Sequence, residues 1–183
     1  MTTDIFIETE RLILRRFKDE DQRPFAQLNG DPEVMRYFPT PLTAQQSNEL
    51  ATEINRRIDA NGYGFWAAER KEDNVFIGFV GLNKTGDKLP FPPAVEIGWR
   101  LDKPYWGKGY ASEAAKASLK FAFETLKLPE VISFTAILNK PSQKVMTRIG
   151  MKHEGDFFDH PMLADGHCLK PHIIYKIQNY LSV

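Results

Sequence analysis

The chain has 183 residues with 24 Lys+Arg and 24 Asp+Glu, a formal net charge of zero, and is 42% hydrophobic and 26% charged. This excludes intrinsic disorder, which needs few apolar residues or a large net charge, and a partner recruited by global charge. One cysteine, Cys168, excludes an intramolecular disulfide and a cysteine-based zinc cluster, and no apolar run approaches the roughly 18–20 residues of a membrane span. The N-terminus has no basic start followed by an apolar core, so the expectation is a cytoplasmic protein of one domain over residues 1–183, with no membrane partner.

Along the chain, Glu10 to Phe17 predicts a first strand, since Leu12, Leu14 and Phe17 alternate with Arg11, Arg15 and Arg16. Asp19 to Leu28 and Pro32 to Tyr37 predict short helices, each capped by its opening aspartate. Thr43 to Ala60 predicts a longer helix with Leu50, Ile54 and Ile58 on one face, closed by Asn61-Gly62. Three strands follow at Gly64–Glu69, Val75–Asn83 and Ala94–Leu101. Their connections, through Asp73-Asn74 and the loop Gly86–Pro93, suit antiparallel neighbours. After a glycine turn at Trp106–Gly109, a helix from Ala111 to Leu126 carries an apolar stripe of Ala111, Ala115, Leu119, Ala122 and Leu126. Val131–Leu138 predicts a central strand, Asn139–Ile149 a helix ended by Gly150, and Lys152–Phe157 and His172–Ile177 the last strands. The fold class is α/β (α+β), antiparallel first, with a strand–helix–strand crossover in the second half.

The chemistry concentrates where the strand Val95–Leu101 runs into Lys103-Pro104-Tyr105-Trp106-Gly107-Lys108-Gly109 and opens a helix. Glycines let a ligand approach the backbone, the first helical N–H groups are unpaired, and the helix dipole adds about half a positive charge. That is a cradle for phosphate, to which Lys108 can add a charge. It is not a nucleotide P-loop, because G-x-x-x-x-G-K-[ST] is absent. It is not a dinucleotide fingerprint either, because Ser112 stands where the third glycine belongs. From Gly98 to Gly150 nine basic residues face four acidic ones, whereas residues 1–60 carry eleven acids and eight bases. Lys116 and Lys120 suit a solvated helix face.

The stretch EIGWRLDKPYWGKGYASEA resembles the acetyl-CoA-binding motif of the GNAT acetyltransferases, in the branch similar to RimJ/RimL-type ribosomal-protein N-terminal acetyltransferases. ETERLILRRF and GDPEVMRYFPTPLTAQQ resemble that branch's first strand and next two helices. Asn139 to Val145, followed by Ile149-Gly150-Met151, resembles its second cofactor segment. The resemblance implies a GNAT fold: a mixed, mostly antiparallel, twisted sheet of about seven strands flanked by about four helices. It implies that backbone groups of Trp99 and Leu101 pair with the pantetheine arm of acetyl-CoA. Trp106, Gly107, Lys108, Gly109, Tyr110 and Ala111 would wrap its pyrophosphate, with Ser112 adding a hydroxyl. Asn139 would contact the cofactor, a position that also suits a plain helix N-cap, and Ser142 would sit near the thioester sulfur.

Acyl transfer to an amine needs a neutral amine and a proton for the leaving thiolate. Glu96, an acid in an otherwise apolar strand, is the candidate base, since desolvation raises a carboxyl pKa. Ser142 is the candidate acid, because Met146 occupies the position where many GNAT enzymes have a tyrosine; Tyr110 and Tyr175 are alternatives. Arg36, Tyr37, Phe38 and Trp66 are candidate acceptor contacts, and the aromatics among them equally suit core packing. The four histidines fit no zinc pattern, so no metal is expected, although one histidine can line the acceptor pocket. The function expected is direct acetyl transfer to a primary amine, either a peptide or protein α-amine or a small amine such as a polyamine, amino acid or antibiotic. A non-catalytic acyl-CoA-binding module is the alternative class. With no RNP, KH or zinc-finger signature, nucleic acid is not an expected partner; the oligomer expected is a monomer or homodimer.

Overall fold

The computed structural model describes residues 4–179, so both ends of the 1–183 span lie outside it. Its strands are β1 (Ile5–Glu8), β2 (Leu12–Arg15), β3 (Phe65–Arg70), β4 (Val75–Lys84), β5 (Val95–Leu101), β6 (Glu130–Ala136), β7 (Phe157–Asp159) and β8 (Pro171–Gln178). They form one sheet in the order β1-β2-β3-β4-β5-β6-β8-β7. Every neighbouring pair is antiparallel except β5 and β6, which are parallel. The helices are α1 (Gln22–Gly30), α2 (Ala44–Asn61), α3 (Tyr110–Glu124) and α4 (Lys140–Arg148). The α3 crossover joins the parallel pair, which two strands in that relation require.

Local chemistry explains the boundaries. Thr43 and Gln46 form a reciprocal capping box at the start of α2. Gly62, at φ 76°, ends that helix in the left-handed conformation. Four expectations need correction. The strand β1 escapes the sequence reading because IFIE has no polar alternation and lies at the sheet's edge. Asp19 caps nothing: a 3-10 turn, Asp19–Asp21, leads into α1, and it is the Asp21 carboxylate that accepts from the Lys18 amide. Pro32–Tyr37 is a run of turns rather than a helix. Asp31 does accept from the Glu33 amide, but Pro39 and Pro41 stop helical propagation. Lys152–Phe157 is not a strand; it makes one isolated bridge, Lys152 to Lys176, and Gly155 at φ 97° breaks the extended run before β7.

Register assigns side chains to the two faces of the sheet, because residues directly opposite each other point the same way. Trp66 lies opposite Val80, and Val80 opposite Trp99. This face packs on α3, where Phe121 meets Trp66 edge-on at 5.4 Å. On the other face Phe79 lies opposite Arg100 and Asn83 opposite Glu96. There Phe25 of α1 packs against Phe76 and Phe79 at 5.9 and 6.1 Å. Burying Leu12, Leu14, Phe25, Trp66, Ile77, Val80 and Leu82 almost completely forms the core between these layers. At roughly 1.5–3 kcal/mol for each large apolar side chain, it is the main source of stability.

Candidate active site

The parallel pairing of β5 with β6 is confined to Glu96 opposite Ile132. Beyond that point β5 continues against β4 as far as Leu101, while its other edge is released. The Ser133 hydroxyl donates to the Ile97 carbonyl at 2.8 Å, so a side chain replaces the ladder where the strands part. A cavity of about 650 Å³ opens at this divergence. Its floor is β5 from Glu96 to Leu101, and one wall is the Trp106–Ser112 turn and α3 start. The opposite wall is β6 with Asn139, Ser142 and Val145 of the α4 region, and the strap 33–39 closes one side.

The α3 end of the cavity is formed by the glycine turn. Gly107 and Gly109 take φ 73° and 84°, a region costly for other L-residues, and Gly109 is the α3 N-cap with no side-chain cap. The first-turn N–H groups of α3 therefore have no intrahelical acceptor. Arg11, which the sequence places only in the alternation of the first strand, braces the turn from outside. It donates from Nη1 to the Lys108 carbonyl at 3.0 Å and from Nε to Glu113 Oε2 at 2.6 Å, and covers the Tyr110 ring at 4.5 Å. Trp106 Nε1 donates to the Leu101 carbonyl at 2.7 Å, tying the turn to β5. Lys108 is not among the lining residues; its ammonium lies 5.8 Å from the Tyr105 ring centroid. The cations that do border the cavity are Arg36, Arg100, Lys144 and Arg148. Lys116 and Lys120 are exposed on the outer face of α3.

At the other end Glu96 lines the cavity, half-buried, with its Oε1 accepting from Asn83 Nδ2 at 2.8 Å. Asn83 Oδ1 accepts from Arg57 Nη1 at 3.1 Å, which fixes the amide in the orientation that donates to Glu96. Burial pushes the Glu96 carboxyl from its ordinary 4.5 up to about 7, opposed by the Asn83 hydrogen bond and the Arg57 charge. A carboxyl poised there exchanges protons near neutral pH, which general base chemistry requires.

Asn139 caps α4: its Oδ1 accepts from the Ser142 amide at 3.2 Å and its Nδ2 donates to Thr135 Oγ1 at 2.9 Å. Ser142 lines the cavity, and among the described residues its hydroxyl has no partner. Met146 is 1% exposed and packs in the core. Of the alternative acids Tyr110 lines the cavity, whereas Tyr175 lies outside it, against His153.

Arg36, Tyr37 and Phe38 line the strap side, with the Arg36 guanidinium 5.0 and 5.5 Å from the Tyr37 and Trp106 ring centroids. Trp66 does not join them. It is 0% exposed on the α3 face of the sheet, so the register makes it a core residue rather than an acceptor contact. Two histidines missed individually, His160 and His172, line the cavity with rings 4.9 Å apart, and burial lowers the pKa of both. Among the described residues no group of three or more His, Cys, Asp or Glu side chains is placed to hold a metal. No described helix is long and apolar enough to cross a membrane.

The family described as acetyltransferase (GNAT) domain matches residues 11–152. The uncharacterized N-acetyltransferase YnaD of Bacillus subtilis (strain 168) is 33% identical over 151 residues, 82% of this chain and 85% of that protein. The FsC-acetyl coenzyme A-N(2)-transacetylase of Aspergillus fumigatus is 31% identical over 160 residues, 84% of this chain and 67% of that protein. A crystal structure of a GNAT-family acetyltransferase from Bacillus anthracis superposes with a TM-score of 0.80 at 30% identity, over 96% of this chain and 99% of that one. GNAT acetyltransferases bind acetyl-CoA and an acceptor, and the cavity of this chain has a glycine turn at one end and a carboxyl at the other. The chain belongs to the GNAT family and is an N-acetyltransferase.

Proposed function

We propose that this protein transfers the acetyl group of acetyl-CoA directly to a primary amine held at Glu96, and that a peptide or protein α-amine is the acceptor, in keeping with the RimJ/RimL-like pattern of its motifs. The observation that carries the reading is the divergence of β5 from β6 beside an uncapped, glycine-opened helix start. A pantetheine-like arm adds to a released strand edge through backbone hydrogen bonds, here at Trp99 and Leu101. A pyrophosphate suits the unpaired N–H groups of Tyr110, Ala111 and Ser112. The fit is favourable at the turn: a Cβ built on Gly107 meets no atom within 4 Å, so the cradle is open on that side. Lys108 would contribute its backbone, and Asn139 would act chiefly by capping α4 and shaping the wall.

Acetyl-CoA supplies a thioester carbonyl and a thiol leaving group. Glu96 accepts the proton that the amine sheds as its nitrogen bonds to the carbonyl carbon, directly or through one water. An α-amine, with pKa about 7.7–8, needs only a base of this strength, whereas a lysine side chain near 10.4 needs a stronger one. Ser142 offers a hydroxyl hydrogen bond to the departing sulfur. The strap residues Arg36, Tyr37 and Phe38 cover the acceptor. No metal has a part in this scheme. We place the enzyme in the cytoplasm, as one domain working as a monomer or homodimer.

The Aspergillus relative, named for transfer to N(2) of FsC, favours a second reading in which the acceptor is a small amine. Incubation with acetyl-CoA and a panel of peptides, polyamines, amino acids and antibiotics, followed by free thiol release, tests both. Preferred turnover of peptides supports the first reading. Turnover of small amines alone supports the second, and no turnover over the whole panel overturns both.

A further inference from the structure

Two strand arginines place guanidinium nitrogens in the interior, and they are treated differently. Arg15, 3% exposed, has two carboxylates: Nε donates to Glu69 at 2.6 Å, and Nη1 and Nη2 donate to Asp21 at 2.6 and 2.9 Å. Arg100 has no carboxylate within 4 Å among the described residues. Its Nη1 donates to Asn29 Oδ1 at 2.6 Å, and its Nε is buried with no acceptor. The guanidinium lies 4.1 Å from the Phe38 ring centroid and 5.3 Å from that of Phe79. Burial alone pushes the Arg100 pKa down to about 10, with no opposing charge.

This cation is placed, not stranded. Asn29 is fully buried, and its Nδ2 donates to the buried Ser47 hydroxyl at 2.8 Å, which turns Oδ1 toward Arg100. Between the Phe38 and Phe79 rings Arg100 lines the cavity, with Nε buried and Nη1 held by Asn29. A desolvated charge without a countercharge costs stability, and a guanidinium lining a cavity suits a carboxylate, which accepts charge-assisted hydrogen bonds from it.

We propose that Arg100 recognises a carboxylate on the acceptor, so that the amine acetylated by this enzyme carries an acidic group several bonds from its nitrogen. The inference rests on the acetyl-transfer reading of the cavity. Arg100 shares its sheet face with Glu96, whereas Trp99 and Leu101 point to the α3 face. The guanidinium therefore lies on the Glu96 face of the sheet, opposite the face to which Trp99 and Leu101 point. Glu96 and Arg100 are four residues apart on one strand, about 13 Å between Cα atoms at roughly 3.3 Å per residue. An α-amino acid, whose amine and carboxylate share one carbon, covers little of that span. An ω-amino acid, or a peptide whose second residue is acidic, covers more of it.

Two matched pairs separate these sources: 5-aminopentanoate against 5-aminopentanamide, and Ala-Glu-Ala-amide against Ala-Gln-Ala-amide. The wild type should favour the acidic member of at least one pair about 10–100-fold in kcat/KM, as a charge-assisted hydrogen-bonded contact implies. That ratio should fall to near one in Arg100→Met and be partly restored in Arg100→Lys, which keeps the charge but not the fork. A ratio near one in the wild type for both pairs, or a ratio unchanged in Arg100→Met, overturns the proposal. Should none of the four release thiol, thermal shift replaces turnover. A larger rise in Tm with 5-aminopentanoate than with its amide, lost in Arg100→Met, supports the anion site while counting against acetyl transfer to these amines. Equal shifts with the two overturn the anion site itself.

Discussion

Removing the hydrogen bond that Asn83 gives to Glu96 should move the pH dependence of catalysis upward. Glu96 titrates near 7 because burial outweighs the Asn83 hydrogen bond and the Arg57 charge. In Asn83→Leu the lowering contact is lost and the upward push remains. A hydrogen bond to a charged group contributes about 1.5–3 kcal/mol, and one pKa unit corresponds to about 1.36 kcal/mol. The inflection should therefore rise by about one to two units. The assay is thiol release against pH with one acceptor, comparing variant with wild type so that the amine's own titration cancels. An unchanged inflection in Asn83→Leu, or a retained base limb in Glu96→Gln, would refute the assignment of Glu96 as the base.

The same shift makes a statement about stability. Between 4.5 and about 7 the unfolded chain has lost the Glu96 proton and the folded chain still holds it. The folded state binds more protons there, so the Glu96 contribution is full below pH 4.5 and is lost as pH rises through 7. The 2.5-unit difference corresponds to about 3 kcal/mol, an upper figure for a side chain partly open to the cavity. Glu96→Gln should accordingly gain stability relative to the wild type at pH 8 and not at pH 4.5, which denaturant melts at the two pH values would measure.

Four other outcomes are expected. Gly109→Val puts a β-branched residue at φ 84° beside Arg11 Nη2, 3.4 Å from the new Cβ, and should weaken acetyl-CoA binding about tenfold by calorimetry. Ser142→Ala should lower kcat about tenfold with KM for acetyl-CoA unchanged, because its hydroxyl is proposed to act on the departing sulfur while its amide keeps the Asn139 bond. Trp66→Ala should cost about 3–5 kcal/mol in chemical denaturation, the range for a large buried aromatic, without changing the acceptor KM. Asp21→Ala strips Arg15 of two hydrogen bonds and should destabilise by about 3–5 kcal/mol.

What could be read from the chain and what could not divides along sequence distance. The crossover, the glycine turn and the α2 caps are local signals, spelled within a few residues each. Faces were harder, because alternation says only that neighbours point opposite ways. Trp66 is apolar and close to the site in sequence, yet its pairing with Val80 turns it to the α3 side, while Phe65 beside it lines the cavity. Arg11 braces a turn 97 residues away, and Arg100 finds its amide partner 71 residues away. Neither contact has a period or a motif. The Asn83–Glu96 contact is closer, thirteen residues across one hairpin, and its register was the missing piece.

Zero net charge proved a poor guide to what the interior would tolerate. Arg15 and Arg100 both occupy strands among apolar neighbours, and composition counts them alike. Arg15 is answered within the fold by Asp21 and Glu69, so its charge is a closed account of local attraction and desolvation. Among the described residues Arg100 is answered by two aromatic rings and an amide, which is itself held by Ser47, and by no carboxylate. Two buried polar residues from separate helices, Ser47 and Asn29, thus stand behind the Arg100 cation, which no described carboxylate neutralises. Stability alone would favour an apolar residue there. The imbalance is intelligible if the missing charge arrives from the cavity. Glu96 and Arg100 then form the two ends of one acceptor site, a proton acceptor for the amine and a cation for its acid, set on a single strand whose far edge is left free for the acyl donor.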